Sequence, residues 1–413
     1  MPRFCFIVIA AVLVSTAMTA ADWQVETSQV TSGPKHHYFG YIGHVQNIPW
    51  NASGRYIAVL RSDSQDHMPG PADAAEIVLL DTKRDYASTV VDRSRAWNVQ
   101  QGTMMYWNPA AAETQLFFND RDPKTGKVFT VLYDTEKRRR IKEFRYEDTP
   151  IGNSGVAQKG GRFLGLNYGR LARLRAVTGY KDAYDWTEGQ ATPENDGIFI
   201  VDVATGRKKL LVSFRQLADL IRPAHPAADK TPLFINHTLW NRNDDRIYFY
   251  VRGNFGDRAR QINQPCTIKP DGTGLTMHTQ HIGGHPEWEF GSRIIGDADG
   301  KQVLYDVDKK ELVGQIGTPE ILPKPGGDVA LSPDGKWFVN GYREGDSNFY
   351  VVVRRSDGSW QRTKGFPIKG RTSGDLRLDA APAWNRNSDM ILFPALAPDG
   401  TRQSFLLRIK AQR

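Results

Sequence analysis

One unit recurs along this chain: a Trp or Ser, a polar turn, then an alternating or apolar strand. It reads "PWNASGRYIAVLRS" at 49–62, "YWNPAAAETQLFFND" at 106–120, "LWNRNDDRIYFYVRG" at 239–253, "LSPDGKWFVNGYRE" at 331–344 and "AWNRNSDMILFPAL" at 383–396. Degenerate copies at 156–169 and 286–300 bring the total to seven. A second β-rich strand, usually ending in Asp and a turn, follows each copy, as in "IVLLDTKR", "FTVLYDTEK" and "QVLYDVDKK". Helical periodicity is confined to "SFRQLADLI" at 213–221. Short strands separated by Gly, Asp and Asn turns, at a period of roughly 40–50 residues, are the signature of a β-propeller. The expected fold is all-β, a single seven-bladed β-propeller forming one domain over residues 22–413. The Trp that opens a unit packs between neighbouring blades, and "SPDG" is a hairpin tip whose Asp and Gly supply turn geometry.

The first residues read differently. Arg3, the apolar run "FCFIVIAAVLV" and the small residues up to Ala21 have the three-part layout of a secretory signal peptide over 1–21, with Thr19 at the minus-three position. The run is shorter than the ~20 residues that span a bilayer. The expected mature protein is exported to the periplasm or the medium, with no lipid anchor and no membrane partner. Cys5 leaves with the leader and Cys266 stands alone, which excludes an intrachain disulfide and a Cys-type zinc site.

The formal net charge of +8 favours an anionic partner. Export argues against nucleic acid, and apart from "EKRRRIK" at 136–142 the basic residues are scattered, so an acidic polysaccharide or oligosaccharide is the expected partner of a monomer. One repeat carries a long connection, "GRLARLRAVTGYKDAYDWTEGQATPENDG", at 169–197. A connection of this length inside a regular repeat is more often functional than not. Its arginines suit carboxylate recognition and its aromatic rings suit sugar faces.

Several local patterns point to a known group: "HHYFGY" at 36–41, "AWNVQQG" at 96–102, "FNDRD" at 118–122, "INHTLWN" at 235–241, "GHPEW" at 284–288, "LSPDG" at 331–335 and "LDAAPAW" at 378–384. Over nearly all of its mature length the chain resembles the exported seven-bladed propeller polysaccharide lyases, a group that includes oligogalacturonate, ulvan and rhamnose–glucuronate lyases. The resemblance implies cleavage next to a uronic acid (glucuronate, iduronate or galacturonate) by β-elimination. That chemistry needs a positive group or metal for the carboxylate, a base for the C5 proton and an acid for the leaving oxygen.

On this resemblance His237 is the expected base, and His285 matches a metal-ligand histidine. The rest of that metal set is replaced: Asp328 stands where a histidine is expected before "SPDG", and Ala381 where one is expected before the last Trp. His285 with Asp328 remains a candidate site for a divalent cation, calcium or manganese; no organic cofactor is expected. Arg170 is the expected neutraliser and Tyr180 the expected acid. Gln101, Arg121, Tyr168 and Trp240 are the expected substrate contacts, the amide as a hydrogen-bonding group and the arginine as a carboxylate clamp. In the rhamnose–glucuronate branch an N-terminal histidine acts alone, a role open here to His37 or His44. The competing reading of His36 and His37 is closure of the ring. Two other functions stay open: a non-catalytic TolB-like propeller that binds glycan or protein, and a glycoside hydrolase, which needs two carboxylates facing one bond.

Overall fold

The computed structural model describes residues 22–38 and 47–412; the leader read over 1–21 and His44 lie outside the described residues. Five four-stranded antiparallel meanders and one nine-stranded sheet make up the fold, which is all-β and propeller-like. The four-stranded sheets begin at His36–Tyr38, Tyr106–Trp107, Gly152–Val156, Phe234–Trp240 and, in the closing sheet, Ala383–Trp384. The nine-stranded sheet contains two four-strand meanders, led by Gly283–Trp288 and Asp328–Leu331, that meet at one parallel bridge, His285 to Asp328.

Local chemistry explains why the recurring unit folds this way. The Asn after each Trp turns the chain: Asn51 Oδ1 accepts from Tyr56 N at 2.9 Å, Asn241 Oδ1 from Asp245 N and Arg246 N, and Asn385 Oδ1 from Met390 N. Ser332 Oγ does the same for Trp337 N at 3.0 Å. The Asp that ends the second strand builds a matching turn, as Asp134 does with Glu136 N and Lys137 N. Middle strands are packed on both faces, so "IYFYVRG" at Ile247–Gly253 is buried throughout, whereas the outer strand Glu311–Gln315 is exposed throughout. The one amphipathic helix expected from the sequence is present as Phe214–Ile221, capped by Ser213 and Gln216.

The tryptophans stitch one sheet to the next. Trp107 Nε1 donates to Pro49 O, Trp240 Nε1 to Gly155 O, Trp288 Nε1 to Leu239 O and Trp384 Nε1 to Ala330 O. Each bond reaches the residue before the equivalent Trp or apolar position of the preceding unit, so a buried indole satisfies its only donor across the interface.

The ring closes without a covalent link. The N-terminal strand Trp23–Gln29 pairs antiparallel with Arg402–Ala411 as the fourth strand of the closing sheet. His36 and His37 join the same seam: Arg402 N donates to His36 Nδ1 at 3.1 Å, and His37 Nδ1 donates to Gln403 Oε1 at 2.8 Å. Burial depresses the pKa of His37 to about 4, so it is neutral at physiological pH.

A buried carboxylate couples stability to pH. Glu287 sits inside the sheet interface, where burial pushes its pKa up to about 7 from an ordinary 4.5 despite Arg242 beside it. A carboxyl with a raised folded-state pKa contributes stability that is fully present below pH 4.5 and lost as pH rises through 7. Wild-type protein is therefore expected to lose on the order of 2–3 kcal/mol relative to Glu287→Gln between those limits. Urea titrations of both proteins at pH 5 and pH 8 check this; parallel curves at the two pH values would refute it.

Candidate functional site

The leading ends of several inner strands carry the polar residues that converge. In Phe234–Trp240 the pairing register slips between Asn236 and Leu239, and His237 lies in this bulge with φ at 61°. Asn236 Oδ1 accepts from His237 N at 3.0 Å, which supports the left-handed turn. The bulge places the His237 ring 5.4 Å from the ring of His285 and 5.8 Å, edge-on, from that of Tyr250. Burial pushes the Tyr250 phenol up to about 12, and its hydroxyl donates to Ile282 O.

His285 follows Gly284, whose φ is 74° and whose missing side chain lets the Gly326 backbone pass close by. The His285 Nδ1 lies against Asp328 Oδ1 at the bridge that joins the two halves of the nine-stranded sheet. Asp379, just before the closing sheet, adds a second acid. Burial and then the charge of Asp328 raise its pKa, while Arg377, whose Nε donates to Asp379 Oδ1 at 2.8 Å, opposes that rise. Gln101 reaches the same place: its Nε2 donates to Asn236 Oδ1 at 3.3 Å, and its loop is tied down by Asn98 Oδ1. Gln100 Nε2 donates to Arg377 O at 2.9 Å.

The structure thus brings together His237, His285, Asp328 and Gln101. It takes other expected residues out of reach, for a common reason: their polar groups are buried and already bonded. Arg170, expected as the neutraliser, is 1 % exposed; it donates to Leu233 O, Gln190 O, Ala191 O and Thr187 Oγ1 and covers the Phe214 ring. Its role is to pin the long connection to the neighbouring sheet. Tyr180, expected as the acid, is fully buried with its pKa pushed up by that burial, and its hydroxyl accepts from Asn119 Nδ2 at 3.0 Å. Tyr168 stacks on it, ring centroids 4.3 Å apart, and donates to Asn153 O. Arg121 is buried against Lys181 O, which makes it a second clamp on the connection rather than on a substrate. Trp240 is a stitching tryptophan. His37 is held in the closure seam, neutral and bonded to Gln403.

Sequence reasoning missed Tyr250, Arg377 and Asp379. Asp379 had a signal, since it stands two residues before Ala381 in "LDAAPAW". His285 faces Asp328 directly, and among the described residues no group of three or more His, Cys, Asp or Glu is arranged around a common point.

No protein-family model matches the chain, and no curated protein matches it. Solved structures do resemble its fold. An oligogalacturonate lyase in complex with manganese superposes with a TM-score of 0.64 at 13% identity, covering 94% of this chain and 96% of that one. The β-propeller domain of Cps50 (Swd1) from Myceliophteria thermophila gives 0.51 at 12% identity, over 92% and 99%. TolB from Acinetobacter baumannii gives 0.40 at 12% identity, over 86% and 81%. At these identities the likeness concerns the propeller fold.

Proposed function

We propose that this chain is an exported seven-bladed propeller lyase that cleaves an anionic polysaccharide next to a uronic acid. The blade count follows if the nine-stranded sheet is two blades: eight of its strands form two four-strand meanders, the ninth, Phe366–Pro367, pairs at the side of one of them, one parallel bridge joins the two, and the sequence repeats seven times. The leader over 1–21 and the net positive charge support export and an anionic substrate.

The observation that carries the reading is the facing pair His237 and His285, the second backed by Asp328. In β-elimination the C5–H bond of the uronate breaks, its electron pair forms the C4–C5 double bond, and the C4–O bond breaks. His237 takes the C5 proton. His285, held by Asp328, gives a proton to the departing oxygen. Arg377, beside Asp379, is the cation for the uronate carboxylate in this reading, and Gln101 supplies an amide for a hydroxyl. A hydrolase would need Asp328 and Asp379 as its two working carboxylates. Asp328 is engaged with His285 and Asp379 with Arg377, which favours the lyase.

Incubation with gum arabic, ulvan and oligogalacturonate, with ultraviolet absorbance of the unsaturated uronate as the readout, tests the proposal. A rise is expected on one of them; its loss in EDTA would place a divalent cation beside His285 and Asp328, and its persistence would leave the chemistry to the side chains alone. Reducing sugar without absorbance would favour the hydrolase. Flat traces in both assays would favour a binding propeller.

A further inference from the structure

Arg402 opens the last strand, Arg402–Ala411, and is 3 % exposed. Its guanidinium lies over the Tyr38 ring at 4.8 Å, and among the described residues no carboxylate contacts it; Asp379 attracts it from beyond contact distance. A buried cation with no touching counter-ion is costly, and an apolar side chain of similar volume often serves stability as well or better. What the arginine provides is a pair of bonds. Nη1 donates to Val99 O at 3.1 Å and Nη2 to Arg377 O at 3.2 Å.

Both acceptors belong to segments that build the candidate site. Val99 sits in the turn that carries Gln101, closed by paired backbone bonds between Asn98 and Gly102. Asn98 Oδ1 accepts from Gln100 N and Gln101 N, and Asn98 Nδ2 donates to Gly179 O of the long connection at 3.1 Å. The turn is thus held on one side by the long connection and on the other by Arg402. Arg377 O accepts a second bond, from Gln100 Nε2, so the two segments are bonded to each other as well as to their shared anchor. Gln101 bonds to Asn236, next to His237, and Arg377 to Asp379. The backbone of Arg402 meanwhile belongs to the closure seam through His36, and its neighbour Gln403 bonds to His37 and Thr31.

We infer that Arg402 is a positioning residue of the candidate site: it fixes the spacing between the Gln101 amide and the Arg377 guanidinium, and so ties the competence of the site to closure of the ring. The kinetic consequence rests on the lyase reading, in which Gln101 and Arg377 hold the sugar. The structural consequence, one side chain ordering two segments, does not. A lysine does not replace Arg402, because a single ammonium on a flexible stem lacks the planar fork that spans two carbonyls.

Two measurements test this: hydrogen exchange of the amides in 97–104 and 371–380, followed by mass spectrometry, and steady-state kinetics on the polysaccharide that the wild type cleaves. Arg402→Met keeps the stem and removes the donors. It is expected to raise exchange in both segments together by at least ~10-fold, the effect of losing one charge-assisted hydrogen bond on each. KM is expected to rise on the order of 10-fold while kcat changes less than ~3-fold, the mark of lost substrate positioning. Arg402→Lys, the variant to use if Arg402→Met folds poorly, is expected to restore protection to at most one segment and to keep the raised KM. Thr31→Val removes a seam bond that reaches neither segment. It is expected to lower the unfolding midpoint while exchange in the two segments and KM stay at wild-type values. Unchanged exchange in either segment of Arg402→Met, a fall in kcat with KM unchanged, full recovery in Arg402→Lys, or the same changes in Thr31→Val would overturn the inference. If the wild type releases no unsaturated uronate, the lyase reading fails by itself and the exchange results alone decide the role of Arg402.

Discussion

His237→Asn is expected to lower kcat for unsaturated-uronate release by ~10²–10⁴, the usual contribution of a positioned general base. KM should change little, because the residue acts on the proton and Gln101 and Arg377 hold the sugar. Asparagine is the informative replacement: it tolerates the left-handed backbone that His237 adopts, so the bulge is preserved while the base is lost. Asp328→Asn should reduce kcat less and also shift the pH profile, since it acts through the tautomer of His285 rather than on the substrate. Initial-rate absorbance measurements across pH distinguish the two variants. Undiminished turnover by His237→Asn would remove the base from the proposed mechanism.

Arg170→Ala carries the largest expected loss of stability, roughly 3–5 kcal/mol. The substitution strands the backbone carbonyls of Leu233 and Gln190, takes one of two donors from Ala191 O and one partner from the Thr187 hydroxyl, and leaves Asp196 without the nearby cation. Asp196 is itself buried, with a pKa raised by that burial to about 6. Burial lowers the pKa of Arg170 to about 10, so the residue is still charged at neutral pH. Arg170→Lys should recover only part of the loss, because a lysine offers one point of donation where the guanidinium reaches in four directions. Urea unfolding reports both variants. A stable Arg170→Ala protein with a raised KM would instead return Arg170 to the substrate.

The contrast between these two residues shows where sequence reasoning held and where it stopped. His237 and His285 were singled out because "INHTLWN" and "GHPEW" resemble the propeller lyases, and Asp328 because it stands where that resemblance expects a histidine before "SPDG". Arg170, Tyr180 and Tyr168 were read as functional because the long connection is polar and aromatic. The fold uses that chemistry internally: the Tyr168–Tyr180 stack and the Arg170 clamp supply the core that a connection of nearly thirty residues needs to be ordered. An arginine in sequence carries no mark of whether its donors will find carbonyls or a ligand. The histidine pair near the N-terminus had two readings, and the bond from His37 to Gln403 decides for closure.

The repeat by itself determined the strands, their turns and the propeller-like order, because Asn and Asp turns, alternating strands and interface tryptophans all act within a unit or between adjacent ones. The meeting of His237 with His285 and of Asp328 with Asp379 depends on how neighbouring sheets pack, and that of His37 with Gln403 on closing the ring. That closure brings residues up to several hundred positions apart to one axis. Only the tertiary structure decided those neighbours, since charge balance and burial are set by the groups that pack across the sheets and not by the neighbouring residues along the chain.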